Sequence, residues 1–216
     1  RVSAAESSAA HLEQFASVFT NGKGQVARQD GDPDAAFAEA DTVIERTYFG
    51  SFLAHNTLEP MNFFADVKAD SARLIGPIQT PEALRGSVAA MLNIPEDKIH
   101  VDMTRMGGGF GRRLYGNFGL EAAAISQKIG APVKLIYTRE DDMTQGTYRP
   151  SYTLKYKAAL DADKNLTAFE VQGSGIPSSP VFANRYPAGT LANYRAENFG
   201  IDTNISTGAW RAPRSN

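Results

Sequence analysis

Apolar residues recur with the period of a strand in some stretches of the chain and with the period of a helix in others. The points where the period changes predict where strands and helices begin and end. Residues 1–41 are rich in Ala, Ser, Asp and Gly and carry only one amphipathic stretch, so they are interpreted as a linker-like lead-in. From residue 42 onward β-branched and aromatic residues predominate, and 42–49, 61–67 and 72–78 are typical of strands. A sheet is therefore predicted to begin at residue 42.

Two stretches have the spacing of helices. Pro81–Leu92 places its larger apolar residues on one face, starts with proline and follows Thr80, a candidate N-cap. Asn117–Ile129 is Ala-rich and apolar on most sides, and Gly130 is suited to end it. The first stretch predicts an amphipathic helix, and the second predicts a helix buried between two layers.

Between these helices lies a strand that runs into a glycine-rich loop. Residues 98–103 alternate between apolar and polar side chains, and four of the five residues 107–111 are glycine. A further strand is predicted at 133–137. The order strand, helix, strand, glycine loop, helix, strand predicts an α+β fold, with a mixed sheet and packed helices.

The last third of the chain contains a second β pattern. Residues 152–160 and 166–172 alternate with period two on either side of a polar turn, which predicts a hairpin. From Gly173 onward prolines and glycines are frequent. That stretch is interpreted as long loops, of the kind that bind ligands.

Composition limits the classes of function. The chain is 42% hydrophobic and 10% aromatic, enough for a globular core. Its 22 basic and 24 acidic residues form no block of one sign, which disfavours a nucleic-acid or membrane-surface footprint. With no cysteine, the chain holds neither a disulfide nor a thiolate-bound iron–sulfur cluster. It has no run of 18 apolar residues and opens on Arg1, so the natural protein is expected to begin earlier.

The glycine loop is the strongest candidate for chemistry. Glycines after a strand let backbone N–H groups approach a ligand closely, and a following helix adds the positive end of its dipole. Arg112 and Arg113 come next and are suited to pair with a phosphate. The alternative is a glycine-rich turn with two solvated arginines. Dinucleotide and phosphate-binding glycine motifs do not match, because Arg112 and Leu114 stand where glycine is needed and no Lys-Ser or Lys-Thr pair follows a glycine.

Three short motifs occur in a fixed order along the chain. They are Ile78-Gln79-Thr80, Met106–Gly111 and Gly208–Pro213, with Gln79 placed 31 residues before Phe110. Together they resemble the molybdenum hydroxylase family, the large subunits of xanthine dehydrogenases and aldehyde oxidases, from about residue 42 to the end of the chain. The double arginine and the Trp-Arg-Ala-Pro segment are most similar to the isoquinoline 1-oxidoreductase beta-subunit branch.

The resemblance implies a molybdopterin cofactor, in its cytosine dinucleotide form, and assigns residues to it. Gln79 would donate a hydrogen bond to an oxygen ligand of molybdenum. The cofactor-binding residues would be Gln79, Gly108, Gly109, Phe110, Gly111, Arg112, Trp210 and Arg211. No side chain is expected to ligate the metal, and His11, His55 and His100 are expected to be ordinary histidines, because no pair has metal-ligand spacing.

Two positions bear on the substrate that the resemblance implies. Leu114 stands where xanthine-type members carry a glutamate, so an aldehyde or a more apolar N-heterocycle is expected in place of a purine. Arg185, nine residues before Tyr194, matches the spacing of the family's substrate-side arginine, and a surface arginine in a loop is the alternative. The family's catalytic glutamate is expected beyond Asn216, outside this chain.

Residues 42–216 are accordingly expected to be a first molybdopterin-binding domain, truncated at its C-terminal end and inactive in isolation. The implied bacterial enzyme hydroxylates an aldehyde or N-heteroaromatic carbon with water as the oxygen source. It passes electrons to iron–sulfur clusters on a small partner subunit, with a cytochrome as a candidate acceptor and the periplasm or the cytoplasm as its compartment. The alternative is a non-catalytic anion-binding, nucleotide-binding or structural module that retains the glycine loop.

Overall fold

The computed structural model describes residues 6–176 and 181–212, and the chain divides into two compact units. One unit consists of Ala54–Tyr148 and Gly208–Asn216 and contains the glycine loop. We call it the loop unit. The other consists of Arg1–Leu53 and Arg149–Thr207, and we call it the hairpin unit.

Helices and strands alternate through much of the chain. The helices are α1 Ser8–Asn21, α2 Pro33–Ala38, α3 Pro81–Leu92, α4 Asn117–Ile129 and α5 Arg139–Thr144. The strands are β1 Gln25–Asp30, β2 Thr42–Gly50, β3 Asn62–Val67, β4 Ala72–Gly76, β5 Ile99–Met103, β6 Val133–Ile136, β7 Ser151–Leu160, β8 Leu166–Ile176 and β9 Asn193–Gly200. The strands, helices and order predicted between residues 42 and 172 are confirmed.

The hairpin unit contains a five-stranded sheet with the order β1-β9-β8-β7-β2. Strands β7 and β8 form the predicted antiparallel hairpin, with Ser151 opposite Ile176 at its open end. Strand β2 pairs antiparallel with β7 and forms an edge of the sheet. Strand β9 lies parallel to β8, so this sheet is mixed.

The prediction of long loops from Gly173 onward is wrong for two stretches. Strand β8 continues to Ile176, and β9 forms an inner strand of the sheet. Tyr194 and Ala196 alternate as buried residues in β9, but nearby prolines and glycines obscure this short period in the sequence. Residues 177–180 of the predicted loop lie outside the described residues.

Residues 1–41 contain regular structure that the sequence interpretation understated. Strand β1 pairs antiparallel with β9, and α1 buries His11 and Phe15. The Arg195 guanidinium on β9 donates to both carboxylate oxygens of Asp34 on α2, over 2.9 and 2.8 Å. The lead-in therefore supplies an edge strand of the sheet, while the boundary at residue 42 stays a prediction.

The loop unit contains a four-stranded mixed sheet with the order β5-β4-β3-β6. Strands β4 and β5 are parallel neighbours connected through α3, whereas β3 is antiparallel to both β4 and β6. Strand β5 is an edge of the sheet, and the chain leaves it directly into the glycine loop. The loop thus starts from a fixed strand end.

One continuous core supports this sheet. Phe63, Leu74, Val88 and Phe118 are fully buried in it, and they come from β3, β4, α3 and α4. Burial of side chains of this size stabilises a fold by about 1.5–3 kcal/mol each. Helices α3 and α4 therefore hold the strands that flank the glycine loop.

Helix α4 differs from its prediction in one respect. It buries Phe118, Ala122 and Ser126 against the sheet, but Ile125 and Ile129 on its other side are exposed. The helix packs through one face and is not buried between two layers of the described chain, because its Ala-rich composition suggested apolarity on more sides than the core uses. No helix among residues 6–176 and 181–212 has the length and apolarity needed to cross a membrane.

Candidate cofactor-binding site

The glycine loop contains backbone conformations that favour glycine. Gly108, Phe110 and Gly111 have φ values of 97°, 52° and 101°, in the left-handed region that side chains rarely allow. A Cβ atom on Gly111 would lie 2.2 Å from the carbonyl oxygen of Ala209. Conformation and close packing both explain glycine at residue 111.

Successive amides of this loop have no acceptor within the described chain. The Gly107 N–H donates to Glu59 Oε2 over 2.6 Å, and the Arg112 N–H donates to the Gly109 carbonyl over 2.8 Å. Between them, no described protein atom accepts a hydrogen bond from the N–H groups of Gly108–Gly111. Four consecutive donors in a turn of this kind form a nest suited to an electron-rich ligand.

The structure brings Gln79 to the loop. Its backbone N–H donates to the Arg113 carbonyl over 3.0 Å, and its Oε1 lies 3.4 Å from the position that a Cβ of Gly109 would take. Next to it, the Thr80 hydroxyl donates to the Leu114 carbonyl over 3.0 Å. Thr80 is the N-cap residue of α3, as predicted, but its hydroxyl serves this contact and not the helix.

The segment around Trp210 also lies against the loop. The Ala209 N–H donates to the Tyr115 hydroxyl over 2.6 Å, and the Trp210 Cα lies 3.2 Å from the Cβ position of Gly111. Arg211 is exposed, and Pro213 of the motif lies outside the described residues. Three motifs that are distant in sequence therefore meet in one unit.

His55 holds this segment in place. Its Nε2 lies 2.8 Å from the Ala209 carbonyl, and its ring stacks on that of Trp210 with centroids 4.8 Å apart. Burial lowers the pKa of His55, so at neutral pH a neutral ring donates to Ala209. His55 is not arranged as a metal ligand here. It supports the segment that carries Trp210, a role that spacing in the sequence did not reveal.

Arg112 points into the interior of the loop unit. The residue is 2% exposed, and its guanidinium donates to Asn117 Oδ1 over 2.8 Å and lies over the Phe118 ring at 5.4 Å. Burial lowers the pKa of this guanidinium. These contacts hold the Arg112 side chain inside the loop unit. Its position does not support the predicted contact with a cofactor, which stays a prediction.

Glu59, which the sequence did not assign to the site, and Arg113, which it suggested for pairing with a phosphate, hold the loop from beneath. Both Arg112 and Arg113 are buried, so the alternative of two solvated arginines is wrong. Arg113 is fully buried and pairs with Glu59 at 2.8 Å. Burial alone would raise the pKa of Glu59, but hydrogen bonds from Gly107 and Asn62 and the charge of Arg113 lower it below its usual value. The signals available in the sequence were the glutamate of Leu58-Glu59-Pro60 and the second arginine after the loop, which come together only in the fold.

Leu114 and Arg185, the two residues predicted to face the substrate, belong to different units. Leu114 is exposed in the 3₁₀ turn 112–114 that follows the loop. Arg185 belongs to the hairpin unit, where its exposed guanidinium lies over the Phe182 ring at 4.9 Å. Roles for both residues stay predictions.

Chemically, the site offers hydrogen-bond donors and a flat aromatic surface. The donors are the amides of Gly108–Gly111, and the aromatic surface is the half-buried Trp210 indole. Among residues 6–176 and 181–212, no group of three or more His, Asp or Glu side chains could hold a metal ion. The geometry suits a polar organic cofactor bound through backbone amides.

Comparison with protein families agrees with this geometry. Residues 18–207 match the model of the molybdopterin cofactor-binding domain. The chain is 33% identical over 166 residues to isoquinoline 1-oxidoreductase subunit beta of Brevundimonas diminuta, covering 73% of this chain and 21% of the relative. It is 28% identical over 195 residues to the nicotinate dehydrogenase large molybdopterin subunit of Eubacterium barkeri, covering 84% and 45%.

A third relative carries a different cofactor in its name. The chain is 33% identical over 174 residues to a membrane-bound aldehyde dehydrogenase of Gluconacetobacter polyoxogenes that is named for pyrroloquinoline quinone, covering 80% of this chain and 21% of the relative. This chain thus spans less than half the length of each of these three relatives.

Solved structures show the same fold. Quinoline 2-oxidoreductase from Pseudomonas putida 86 matches with a TM-score of 0.70 at 21% identity, over 89% of this chain and 26% of that chain. The aldehyde oxidoreductase of Desulfovibrio gigas also gives a TM-score of 0.70, at 18% identity, over 89% and 22%. The predicted α+β fold is confirmed, and the family match over residues 18–207 shows that this chain belongs to the molybdopterin cofactor-binding domain family of the molybdenum hydroxylases.

Proposed function

We propose that this chain forms one wall of the cofactor site in a molybdenum hydroxylase that oxidises an aldehyde or an N-heteroaromatic carbon. The observation that carries the proposal is the nest of four loop amides without a protein acceptor, placed beside Gln79 and the Trp210 segment. A bound molybdopterin would supply the redox chemistry, with water as the source of the oxygen atom. The protein supplies position and hydrogen bonds.

Each element of the site has a proposed task. The amides of Gly108–Gly111 hold electron-rich atoms of the cofactor, and they are fixed before binding, so little ordering is needed. The Gln79 side-chain amide donates at the reacting centre. Trp210 and Arg211 close another side of the cofactor, supported by the hydrogen bond and ring stacking of His55.

One carboxylate of the described residues accepts a hydrogen bond from the loop itself. Glu59 is the carboxylate that contacts the loop, and Arg113 and Gly107 both donate to it, which holds it ionised and occupied. Glu59 is therefore not proposed as the catalytic base, and that role is proposed for the glutamate that the family resemblance implies. Electrons leave the site to iron–sulfur clusters on a partner subunit, since this chain has no cysteine to ligate them.

The proposed substrate class rests on Leu114 and on the relatives. An exposed leucine next to the loop favours an apolar ring or aldehyde over a purine. Relatives named for isoquinoline and for aldehydes agree with this class. Arg185 is the proposed substrate-side cation, and the cytosine dinucleotide is the proposed form of the pterin.

The experiment is metal and turnover analysis of the natural protein with its partner subunits. We expect about one molybdenum per chain, oxidation of an aldehyde or isoquinoline with an artificial electron acceptor, and transfer of ¹⁸O from labelled water into the product. A protein with pyrroloquinoline quinone and no molybdenum would contradict the proposal. Ligand binding without turnover would favour a non-catalytic module.

Gln79→Ala tests the proposed donor. We expect kcat to fall roughly 10²-fold with molybdenum retained, because one preorganised donor is lost from the reacting centre. Gln127→Ala, on the exposed side of α4, is the matched control and should leave kcat unchanged. If Gln79→Ala retains full turnover at full molybdenum content, Gln79 has no such role.

A further inference from the structure

The Arg113 side chain is fully buried directly beneath the glycine loop. Its Nε donates to the Gly108 carbonyl over 2.6 Å, and one terminal nitrogen donates to the Pro77 carbonyl over 3.2 Å. The other terminal nitrogen donates to the Glu59 carbonyl over 2.9 Å and to Glu59 Oε2 over 2.8 Å. One guanidinium therefore joins three chain segments, and its planar fork suits this arrangement.

The Glu59 side chain and backbone complete this arrangement. Its Oε2 accepts from the Gly107 N–H as well as from Arg113, and its own backbone N–H donates to the Gly107 carbonyl over 3.3 Å. Asn62 donates to the other carboxylate oxygen over 3.0 Å. Every charged atom of the pair is thus matched by a partner, which matters most for Arg113, because its side chain is fully buried whereas that of Glu59 is 34% exposed.

These contacts determine which way the loop amides point. In a trans peptide the C=O of one residue and the N–H of the next point in opposite directions. Because Glu59 engages the Gly107 carbonyl and Arg113 engages the Gly108 carbonyl, the N–H groups of Gly108 and Gly109 are turned away from Glu59 and Arg113. The Gly109 carbonyl accepts from the Arg112 N–H, so the Phe110 N–H points away from that N–H.

Arg113 also sets the position of Gln79. Its side chain binds the carbonyl of Pro77, two residues before Gln79, and its backbone carbonyl accepts the Gln79 N–H over 3.0 Å. The same residue therefore contacts the loop and the segment that carries the proposed donor.

We infer that the buried Arg113 and the partly exposed Glu59 form a clamp that orients the loop amides outward and fixes the loop relative to Gln79. Arg113 is then a positioning residue, which acts on the site without touching the ligand. The inference rests on the proposed function only for what the amides bind, because the way the loop is held is a property of the protein alone.

Amide hydrogen–deuterium exchange tests the clamp without reference to activity. Four N–H groups are protected by bonds around it: those of Glu59, Gln79, Gly107 and Arg112. In Arg113→Lys, a single ammonium cannot reach all four acceptors, and we expect these amides to exchange at least about tenfold faster. Amides within α4 should exchange at their wild-type rates.

Two further variants keep the test decisive if one of them folds poorly. Glu59→Gln keeps the shape but removes the charge, and it should raise the same exchange rates by a smaller factor. Arg73→Lys alters the exposed ion pair with Asp102 on β4 and β5 and is the matched control, expected to change none of them. A merely structural role for Arg113 would instead accelerate exchange in α4 as well.

The outcomes separate the clamp from the proposed function. If wild-type protein contains molybdenum and Arg113→Lys exchanges normally around the loop, the clamp is wrong and the function stands. If the loop exchanges faster in the variant but wild-type protein binds no molybdenum, the clamp stands and the function is wrong. With both correct, Arg113→Lys should lose at least about half of its molybdenum while α4 stays protected.

Discussion

The loop unit and the hairpin unit stabilise their sheets in different ways. In the loop unit one continuous cluster of buried residues runs from β3 and β4 through α3 and α4. In the hairpin unit the buried residues form separate small clusters, one around Tyr194 and one around Phe15. The site that needs fixed amide positions lies on the unit with the continuous core, as expected of a preorganised site.

Strand β2 shows the contrast most clearly. It is an edge strand of the hairpin unit, and Val43, Ile44, Tyr48 and Phe49 are all exposed on it. In the loop unit, by comparison, β3 buries residues on both faces. Because the hairpin unit has an exposed edge strand and small cores, we expect a substitution there to destabilise only its surroundings. A substitution in the core of the loop unit is expected to destabilise that whole unit.

The largest expected effect is loss of the core beneath the site. Phe63→Ala removes a fully buried ring that packs on Phe118, and we expect the free energy of unfolding to fall by about 3–5 kcal/mol. Phe15→Ala is the matched deletion in the hairpin unit, where a smaller cluster should give a smaller loss. Trp210 is the only tryptophan of the chain and belongs to the loop unit, so its fluorescence during urea unfolding reports on that unit.

Equal shifts of the Trp210 transition in both variants would contradict the comparison, because they would show that the two units unfold together. A larger shift in Phe63→Ala would support it. The measurement also gives the slope against urea concentration, which reveals whether either variant departs from two-state unfolding.

Local signals in the sequence were sufficient for the elements of the loop unit. Pro81 at the start of α3 and Gly130 at the end of α4 marked these helix ends correctly. Each signal acts within one or two residues of a helix end. Strand β9 was missed because its period is short and its flanks resemble loops. The family motifs brought Gln79 and Trp210 into the site, and their proximity to the loop was found only in the structure.

The supporting residues were beyond sequence reasoning for a physical reason. Arg113 and Glu59 are 54 residues apart, and His55 lies 154 residues from Ala209. No periodicity or spacing rule connects positions at such distances. Only the fold shows that these polar residues bind each other, and that Arg112 turns inward while its neighbour Arg113 holds the loop.

The next largest effect is expected at Gly111. Gly111→Ala places a Cβ in a left-handed conformation and against the Ala209 carbonyl, and we expect a loss of about 1–3 kcal/mol in the loop unit. Gly200→Ala is the matched control, because a Cβ there meets nothing within 4 Å and its backbone is not left-handed. Urea unfolding followed by far-UV circular dichroism measures both, because Gly200 lies in the hairpin unit, on which Trp210 fluorescence does not report. Similar stability of the two variants would show that the loop relaxes freely.

A smaller effect is expected from pH through His55. Burial lowers its folded-state pKa below the usual value of about 6.5, so the folded protein binds fewer protons there than the unfolded chain. Stability from this residue is complete above about pH 6.5 and is lost as pH falls below that value. We expect the free energy of unfolding to decrease more from pH 7.5 to 5.5 in wild-type protein than in His55→Gln.

His100→Gln is the control for this pH dependence, because His100 is an exposed histidine of the same unit. It should retain the wild-type slope over the same range. If His55→Gln also retains that slope, the buried ring is not what makes the loop unit sensitive to mild acid, and the support that it gives to Trp210 does not depend on its charge.

The smallest effect is expected at Gly86, one of two glycines in helices of the loop unit. Gly86 lies within α3, where a Cβ would meet only the end of the flexible Glu96 side chain at 3.4 Å. We expect Gly86→Ala to stabilise the unit by about 0.5–1 kcal/mol, because alanine loses less backbone entropy on forming a helix. The shift of the thermal unfolding midpoint measures it.

Gly119→Ala is the matched change in α4 and should have the opposite sign. Its Cβ would lie 2.9 Å from Cδ2 of the buried Leu84, between the two helices that support the glycine loop. Overpacking of this kind costs about 1–3 kcal/mol, which exceeds the gain in helix propensity. If both variants are stabilised, the α3–α4 contact adapts to the extra methyl group, and the continuous core of the loop unit is less rigid than the comparison with the hairpin unit requires.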